Sequence, residues 1–340
     1  MRFSVCIPCY NAQRYISVCI DSILSQTHED YEIIIVDDGS TDNSRVICEQ
    51  YALVNENVRV FHQSNQGLVT TRSVLISYAN GEYCVFVDAD DYLSKDALEI
   101  LNQTINKYDK PDCIMFGLER VRDGKRIEVS TETKTQVISD RLKLYRKVLS
   151  SDSNNSICRK CLKTEILRKY DESLHIDIHI GEDLLRSLSV YKYSDRVVFI
   201  RDVLYSYVMN EESMVHSVTP KNFQPSYLLY MNVSEFLTSE GVDDYRCTLA
   251  IRTLYAQKLV RDVLQIARFQ CTHQEQIRSL ETVVANSNGI LSQPIMEEAL
   301  GRRKTIYMAL QKKNYLSALR KAQIENRITE ISTKIRGLIK

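Results

Sequence analysis

The chain is 340 residues long, and its 44% hydrophobic and 26% charged content are those of a soluble globular protein rather than a disordered or fibrous one. Lys and Arg total 44 and Asp and Glu 44, so bulk charge offers nothing to a nucleic-acid backbone. The balance is uneven: between Gly301 and Lys340 eleven Lys and Arg face only Glu325 and Glu330, an excess of nine that leaves residues 1–300 at minus nine.

No stretch approaches the roughly 18–20 uninterrupted apolar residues of a membrane span. The chain opens directly into Phe3-Ser4-Val5-Cys6-Ile7 without a signal-peptide pattern, so a cytoplasmic protein is expected. Its ten cysteines then read as reduced, packed thiols. Cys6/Cys9 and Cys158/Cys161 are CxxC pairs with the look of a zinc site, but Cys6 falls inside a strand, where neighbouring side chains face opposite ways, and no histidine stands nearby.

In chain order, residues 4–8 form an apolar run, and Ile16, Ile20, Ile23 and Leu24 then recur at helical spacing over 12–26. A β-branched run at 32–36 ends in Asp37-Asp38-Gly39-Ser40-Thr41-Asp42, where Gly39 permits a tight turn and Asp42 can cap a helix over 46–53. Residues 58–61 read as a third strand, and 68–79 as a helix stopped by Asn80-Gly81. A fourth strand at 83–87 runs into Asp88-Ala89-Asp90-Asp91. A strand at 112–116 and a polar hairpin at Asp123-Gly124 follow. Residues 130–215 look less regular; from Pro220 the pattern is helical, including 245–269 and a last helix from Tyr315. Strand–helix alternation with unbroken apolar strands predicts an α/β domain whose mostly parallel sheet is covered on both faces, followed by a helical extension.

Carboxylates at the carboxyl end of a buried strand are costly unless a cation or hydrogen-bond donors meet them. That edge is where open α/β sheets bind ligands, and hard divalent ions bridge one or two carboxylates to phosphates. The competing reading is a turn, with Asp90-Asp91 capping a helix that begins near Ser94. At Asp37-Asp38 a carboxylate can accept from a ribose hydroxyl or a base N–H, or again make a turn. The GxGxxG fingerprint is absent after the first strand, which counts against a dinucleotide dehydrogenase.

Further on, Gly181-Glu182-Asp183 before Leu184, Leu185 and Leu188 reads as the acidic start of a helix. His175 and His179 stand four apart, but the intervening Ile176-Asp177-Ile178 alternates like a strand or loop. Tyr191, Tyr193, Tyr205 and Tyr207 suit either a sugar platform or plain packing. In the tail, Ile324, Ile328, Ile331, Ile335 and Leu338 recur at spacings of four and three amid basic residues. That stripe fits a helix lying on anionic lipid or one docked on its own core.

Val5-Cys6-Ile7-Pro8-Cys9-Tyr10-Asn11, Ser22-Ile23-Leu24-Ser25-Gln26-Thr27 and Asp37-Asp38-Gly39-Ser40-Thr41-Asp42 together resemble the opening motifs of family 2 of the inverting nucleotide-sugar glycosyltransferases. Asn65-Gln66-Gly67, Arg72, Gly81-Glu82-Tyr83 and Asp88-Ala89-Asp90-Asp91 continue that resemblance in order over about residues 3–120, and Gly181-Glu182-Asp183 resumes it.

The resemblance implies a GT-A fold, with residues 1–215 as the transferase domain (1–120 for the nucleotide-sugar, 121–215 for the acceptor) and 216–340 as the helical region. It also implies roles. Pro8 belongs to the donor-binding opening motif. Tyr10 and Asp38 would contact uracil and ribose, with Asp37 supporting their loop and Arg72 near the nucleotide. Asp88, Ala89 and Asp90 would flank the diphosphate, with Asp90 ligating Mn²⁺ or Mg²⁺ and Asp88 beside it. Asp183 would be the general base, which ranks above its reading as a helix start. His216 reads first as an ordinary loop histidine, the alternative being that it completes the metal shell or touches phosphate. Thr71-Arg72-Ser73 departs from the family's frequent Ala-Arg-Asn and leaves Arg72 in place, where it is otherwise a salt-bridge partner for the acids.

The implied activity is metal-assisted, inverting transfer of a hexosyl or N-acetylhexosaminyl group from a UDP-sugar. Its acceptor would be a saccharide or lipid-linked hydroxyl in bacterial surface-polysaccharide or capsule synthesis, at the inner face of the membrane. Two rivals remain: a nucleotidyltransferase that makes the donor, which usually has a glycine-rich phosphate loop where this chain has Pro8-Cys9-Tyr10-Asn11, and a non-enzymatic nucleotide-sugar-binding module, against which Asp90 and Asp183 speak.

Overall fold

The computed structural model describes residues 1–150, 154–170, 182–209, 226–287 and 289–338. The chain divides into two compact units, residues 1–148 with 152–211, and residues 149–151 with 212–340.

In the first unit, β1 (Phe3–Cys9), β2 (Tyr31–Asp37), β3 (Val58–His62) and β4 (Tyr83–Phe86) run parallel in the order β3-β2-β1-β4. Every residue of β1, β2 and β4 is buried, which is why they read as unbroken apolar runs rather than alternating ones. The crossovers carry α1 (Ile16–Leu24), α2 (Ser44–Val54) and α3 (Leu68–Tyr78), and α1 turns Ile16, Cys19, Ile20 and Ile23 inward. Because β1 lies between β2 and β4, the chain segments that leave these three strands emerge along one edge. Those segments hold Tyr10, Asp38 and Asp88 to Asp91.

Past β4 the sheet becomes mixed. After β5 (Tyr92–Leu93) and α4 (Ala97–Lys107) comes β6 (Cys113–Arg122), which makes a hairpin with β7 (Lys125–Ser130). The hairpin turns on Asp123 and Gly124, both at positive φ (51° and 70°), as a two-residue type I′ turn requires. α4 starts at Ala97, not near Ser94, and β5 intervenes, so Asp90 and Asp91 cap no helix.

The stretch that looked irregular in sequence holds β8 (Gln136–Ile138), α5 (Arg141–Leu149), β9 (Lys160–Lys163), α6 (Thr164–Tyr170), α7 (Glu182–Lys192) and β10 (Val197–Val208). β9 inserts antiparallel between β4 and β6, and β10 runs parallel to β6. β9 is four residues, Lys-Cys-Leu-Lys, so no apolar run announces it.

The second unit is helical: α8 (Tyr227–Ser239), α9 (Tyr245–Ile266), α10 (His273–Ala285), α11 (Lys304–Gln311) and α12 (Tyr315–Leu338). Thr272 and Glu275 close a capping box on α10. Leu259, Val263, Leu280, Leu310 and Leu319 form part of its core. α12 docks through Ala318, Leu319 and Ala322, and Asn326 Nδ2 donates to the Leu264 carbonyl at 3.0 Å. The isoleucine stripe is not what docks, since Ile324, Ile328 and Ile331 are exposed; the docked-stripe reading is corrected to that extent. The side chains of Ile335 and Leu338 lie outside the described residues. Among the described residues no helix is long and apolar enough to cross a membrane.

Candidate active site

The first strand edge is a hydrogen-bonded pair of loops. Pro8 is buried in β1 opposite Val36 of β2, near the strand's end, where the missing N–H interrupts little. Tyr10 follows at 49% exposure. Asn11 Oδ1 accepts from the Thr41 N–H at 2.8 Å, and the Ala12 N–H donates to Ser44 Oγ at 2.7 Å. Asp42 accepts from the N–H groups of Ser44 and Gln13 at 2.9 and 3.1 Å, so it ties the two loops together; the N-cap of α2 is Asn43, one residue beyond the expected Asp42. Asp37 is buried; its Oδ1 accepts from the Ser40 N–H at 3.2 Å and its Oδ2 lies 3.4 Å from His62 Nδ1.

Asp38 clamps a third loop. Its Oδ1 accepts from Gln63 Nε2 at 2.7 Å and the Gln66 N–H at 2.8 Å, and its Oδ2 from the Gly67 N–H at 2.9 Å. A carboxylate offers about four lone-pair directions, so one acceptor position remains for a ligand. Gly39 makes this close approach possible: its φ is +73°, and a Cβ there would stand 2.8 Å from the Asn65 nitrogen. Gln63 Nε2 also donates to Thr71 Oγ1 at 3.2 Å, and Thr71 Oγ1 donates to the Gly67 carbonyl at 2.8 Å. Thr71 thus joins the Asp38 loop to α3, one residue before Arg72.

Arg72 is 2% exposed and reaches two acids from distant parts of the chain. Its Nη1 donates to Asp183 Oδ1 at 2.7 Å and its Nη2 to Asp88 Oδ1 at 3.3 Å. Asp183 sits in the first turn of α7, and its Oδ2 accepts from the Ile157 N–H at 3.4 Å. The acid after β4 and the acid opening α7 therefore meet on one buried guanidinium. The salt-bridge reading of Arg72 is what the geometry displays.

Asp88 and Asp90 are partly exposed at this edge, with Ala89 buried between them. Asp91 points inward: Tyr205 Oη donates to its Oδ2 at 2.6 Å and the Val208 N–H to its Oδ1 at 2.7 Å. Burial, then the charges of Asp88 and Asp90, push its carboxyl well above the usual carboxylate range. Tyr205 Oη also accepts from the Asp88 N–H at 3.2 Å, so one phenol fixes both ends of the acidic turn. Tyr205 packs behind the carboxylates rather than offering a sugar platform.

Among the described residues no group of three or more His, Cys, Asp or Glu gathers as a metal centre. Asp88 and Asp90, both partly exposed where the chain leaves β4, nonetheless offer the carboxylate oxygens that a hard cation takes. His216, His175, His179 and Gly181 lie outside the described residues. Cys6 neighbours Cys84 and Cys9 neighbours Cys48, and all four are buried free thiols, as are Cys158 and Cys161.

Lys160 is a residue that no sequence pattern announces. It is wholly buried, and its Nζ donates to the carbonyls of Asn154, Asn155 and Ser156 at 3.0, 3.0 and 2.7 Å. Those carbonyls precede Ile157, so the ammonium braces the segment whose N–H meets Asp183. Burial pushes its pKa down to about 8.

Residues 4–170 match the model of the family described as Glycosyl transferase family 2. The chain is 30% identical over 214 residues to the uncharacterized glycosyltransferase EpsJ of Bacillus subtilis, covering 62% of each chain. It is 28% identical over 231 residues to the poly(ribitol-phosphate) beta-N-acetylglucosaminyltransferase TarS of Staphylococcus aureus, covering 66% of this chain and 39% of TarS. The match thus spans less than two thirds of either relative. The crystal structure of TarS residues 1–349 in complex with UDP-GlcNAc superposes with a TM-score of 0.67 at 23% identity, over 97% of this chain and 92% of that one. The likeness shows the GT-A fold.

Proposed function

We propose that this chain, whose residues 4–170 match the model of glycosyl transferase family 2, moves a hexosyl or N-acetylhexosaminyl group from a UDP-sugar to a saccharide or lipid-linked hydroxyl in surface-polysaccharide synthesis, with inversion. The observation that supports this reading is Arg72 bound to both Asp88 and Asp183, which joins the acid after β4 to the acid opening α7 on one guanidinium. The UDP-GlcNAc held by TarS supports the donor class, and the names of relatives that glycosylate poly(ribitol-phosphate) support transfer to a hydroxyl of a polymer. We assign catalysis to residues 1–215, with 216–340 as a helical extension.

In this mechanism Tyr10 and the remaining acceptor position of Asp38 hold the nucleoside, while Pro8 and Asp37 shape the loop beneath it. A divalent cation held by Asp90, with Asp88 beside it, would neutralise the charge that gathers on the departing diphosphate. Asp183 is oriented by Arg72 on one oxygen and Ile157 on the other, and each oxygen keeps a lone pair for the acceptor hydroxyl. The hydroxyl oxygen forms its bond to the anomeric carbon as the carbon–oxygen bond to the diphosphate breaks. The electron pair leaves with UDP and the hydroxyl proton passes to Asp183. One displacement from the opposite face inverts the centre.

Asp183→Asn keeps the shape and removes the proton acceptor. Donor affinity by calorimetry should hold while turnover, read as UDP release with acceptor present, falls by about 10²–10⁴-fold. Full turnover in that variant would refute the base assignment. Asp90→Asn should abolish the Mn²⁺ dependence of UDP-sugar binding; a titration matching wild type would remove the cation from the account.

A further inference from the structure

α12 packs through one face and leaves the opposite face bare. The buried positions Ala318, Leu319, Ala322, Glu325 and Asn326 share an arc of roughly a third of the helix's circumference at 3.6 residues per turn. Leu316, Arg320, Ile324, Arg327, Ile328 and Ile331 occupy the opposing arc, and all six are exposed, Ile324 at 58% and Ile331 at 55%. Beyond Asn326 none of the described side chains of α12 is buried.

The bare face carries charge of one sign. Glu325, the acid among the described side chains of α12, is turned to the packed side, where Arg302 Nε and Arg303 Nε donate to it at 2.8 and 3.2 Å. Arg320 and Arg327 flank the isoleucines, exposed Lys312 and Lys313 precede the helix, and the sequence continues with Lys334 and Arg336. An apolar stripe set among cations complements a surface that is anionic outside and apolar beneath.

We propose that this face of α12 lies on an anionic lipid surface. The isoleucines enter the boundary between headgroups and acyl chains, and Arg320 and Arg327 sit at the level of the lipid phosphates. A second copy of the chain complements it poorly, because arginines would meet arginines. The inference goes beyond the transferase reading and needs neither donor nor catalysis, although a surface-bound enzyme would meet lipid-linked acceptors directly.

The test uses the purified full chain with vesicles of phosphatidylglycerol and phosphatidylcholine, against phosphatidylcholine alone, read by co-sedimentation at low salt. The chain should sediment with the anionic vesicles and not the neutral ones. Arg320→Glu with Arg327→Glu should weaken that binding on the order of thirtyfold or more, the loss expected for two basic residues at a charged bilayer. Ile324→Ser with Ile328→Ser and Ile331→Ser, all at exposed positions, should abolish it without shifting the thermal unfolding midpoint. Equal sedimentation with both vesicle types overturns the proposal, as does wild-type binding by the serine variant. Sedimentation velocity supplies the remaining contrary result: an oligomer that the serine variant dissolves, with no vesicle binding, would put a second copy on this face.

Discussion

Asp38, Asp91 and Asp262 are buried acids whose surroundings set them to different tasks. Asp38 meets two backbone N–H groups and the Gln63 amide, and holds a loop. Asp91 meets Tyr205 and Val208, and holds a turn. Asp262 accepts from the N–H and hydroxyl of Ser226 at 2.9 and 2.7 Å, yet burial still pushes its pKa up to about 7. A carboxyl raised above its unfolded value of about 3.9 keeps in the folded state a proton that the unfolded chain releases. Stability is therefore undiminished below about pH 4, declines as pH climbs, and reaches its floor above about pH 7. Relative to Asp262→Asn, the wild type should lose roughly 4 kcal/mol of unfolding free energy across that window, at about 1.4 kcal/mol per pH unit. Urea titrations of both proteins at pH 4.5 and 7.5 check this; parallel behaviour would mean that Asp262 finds partners enough to stay ionised.

At the scale of the element, what could be read from the chain depended on how each segment is buried. β1, β2 and β4 are covered on both faces, so their apolar runs, and the acids that end them, stood out. The turn at Asp123-Gly124 was legible because its two residues are suited to positive φ. β9 was hidden by its Lys-Cys-Leu-Lys composition: Lys160 is a buried cation satisfied by three backbone carbonyls, a state no sequence pattern encodes. The site shows the same division. Acids after strands announce Asp38, Asp88 and Asp90, whereas Tyr205 and the Ile157 N–H reach the site only once β10 and the segment before β9 fold beside β6. Asp183 was legible through its helix start and the family motif, and a salt bridge from Arg72 to the acids was among the readings of the sequence, but not that one guanidinium would join Asp88 to an acid 111 residues away.

For the whole molecule, the decisive fact is that the helical unit has a core of its own. Among the described residues, the buried apolar residues of that cluster lie between Tyr255 and Ala322, all within the helical unit. A chain with two cores is expected to unfold in more than one step. Leu319 is fully buried in the second core, and cutting it to alanine removes buried methyl groups and leaves a cavity, at a cost of about 2–5 kcal/mol. Leu319→Ala should lower one calorimetric transition by roughly 10 °C, given the few degrees per kcal/mol typical of domains this size. Saturating UDP stabilises only the unit that binds it, so nucleotide should raise the other transition in wild type and variant alike. A single transition that moves with both the substitution and the nucleotide would show the units melting as one. A UDP shift confined to the transition that Leu319→Ala lowers would instead put the nucleotide in the helices, and the strand-edge site would lose its ligand.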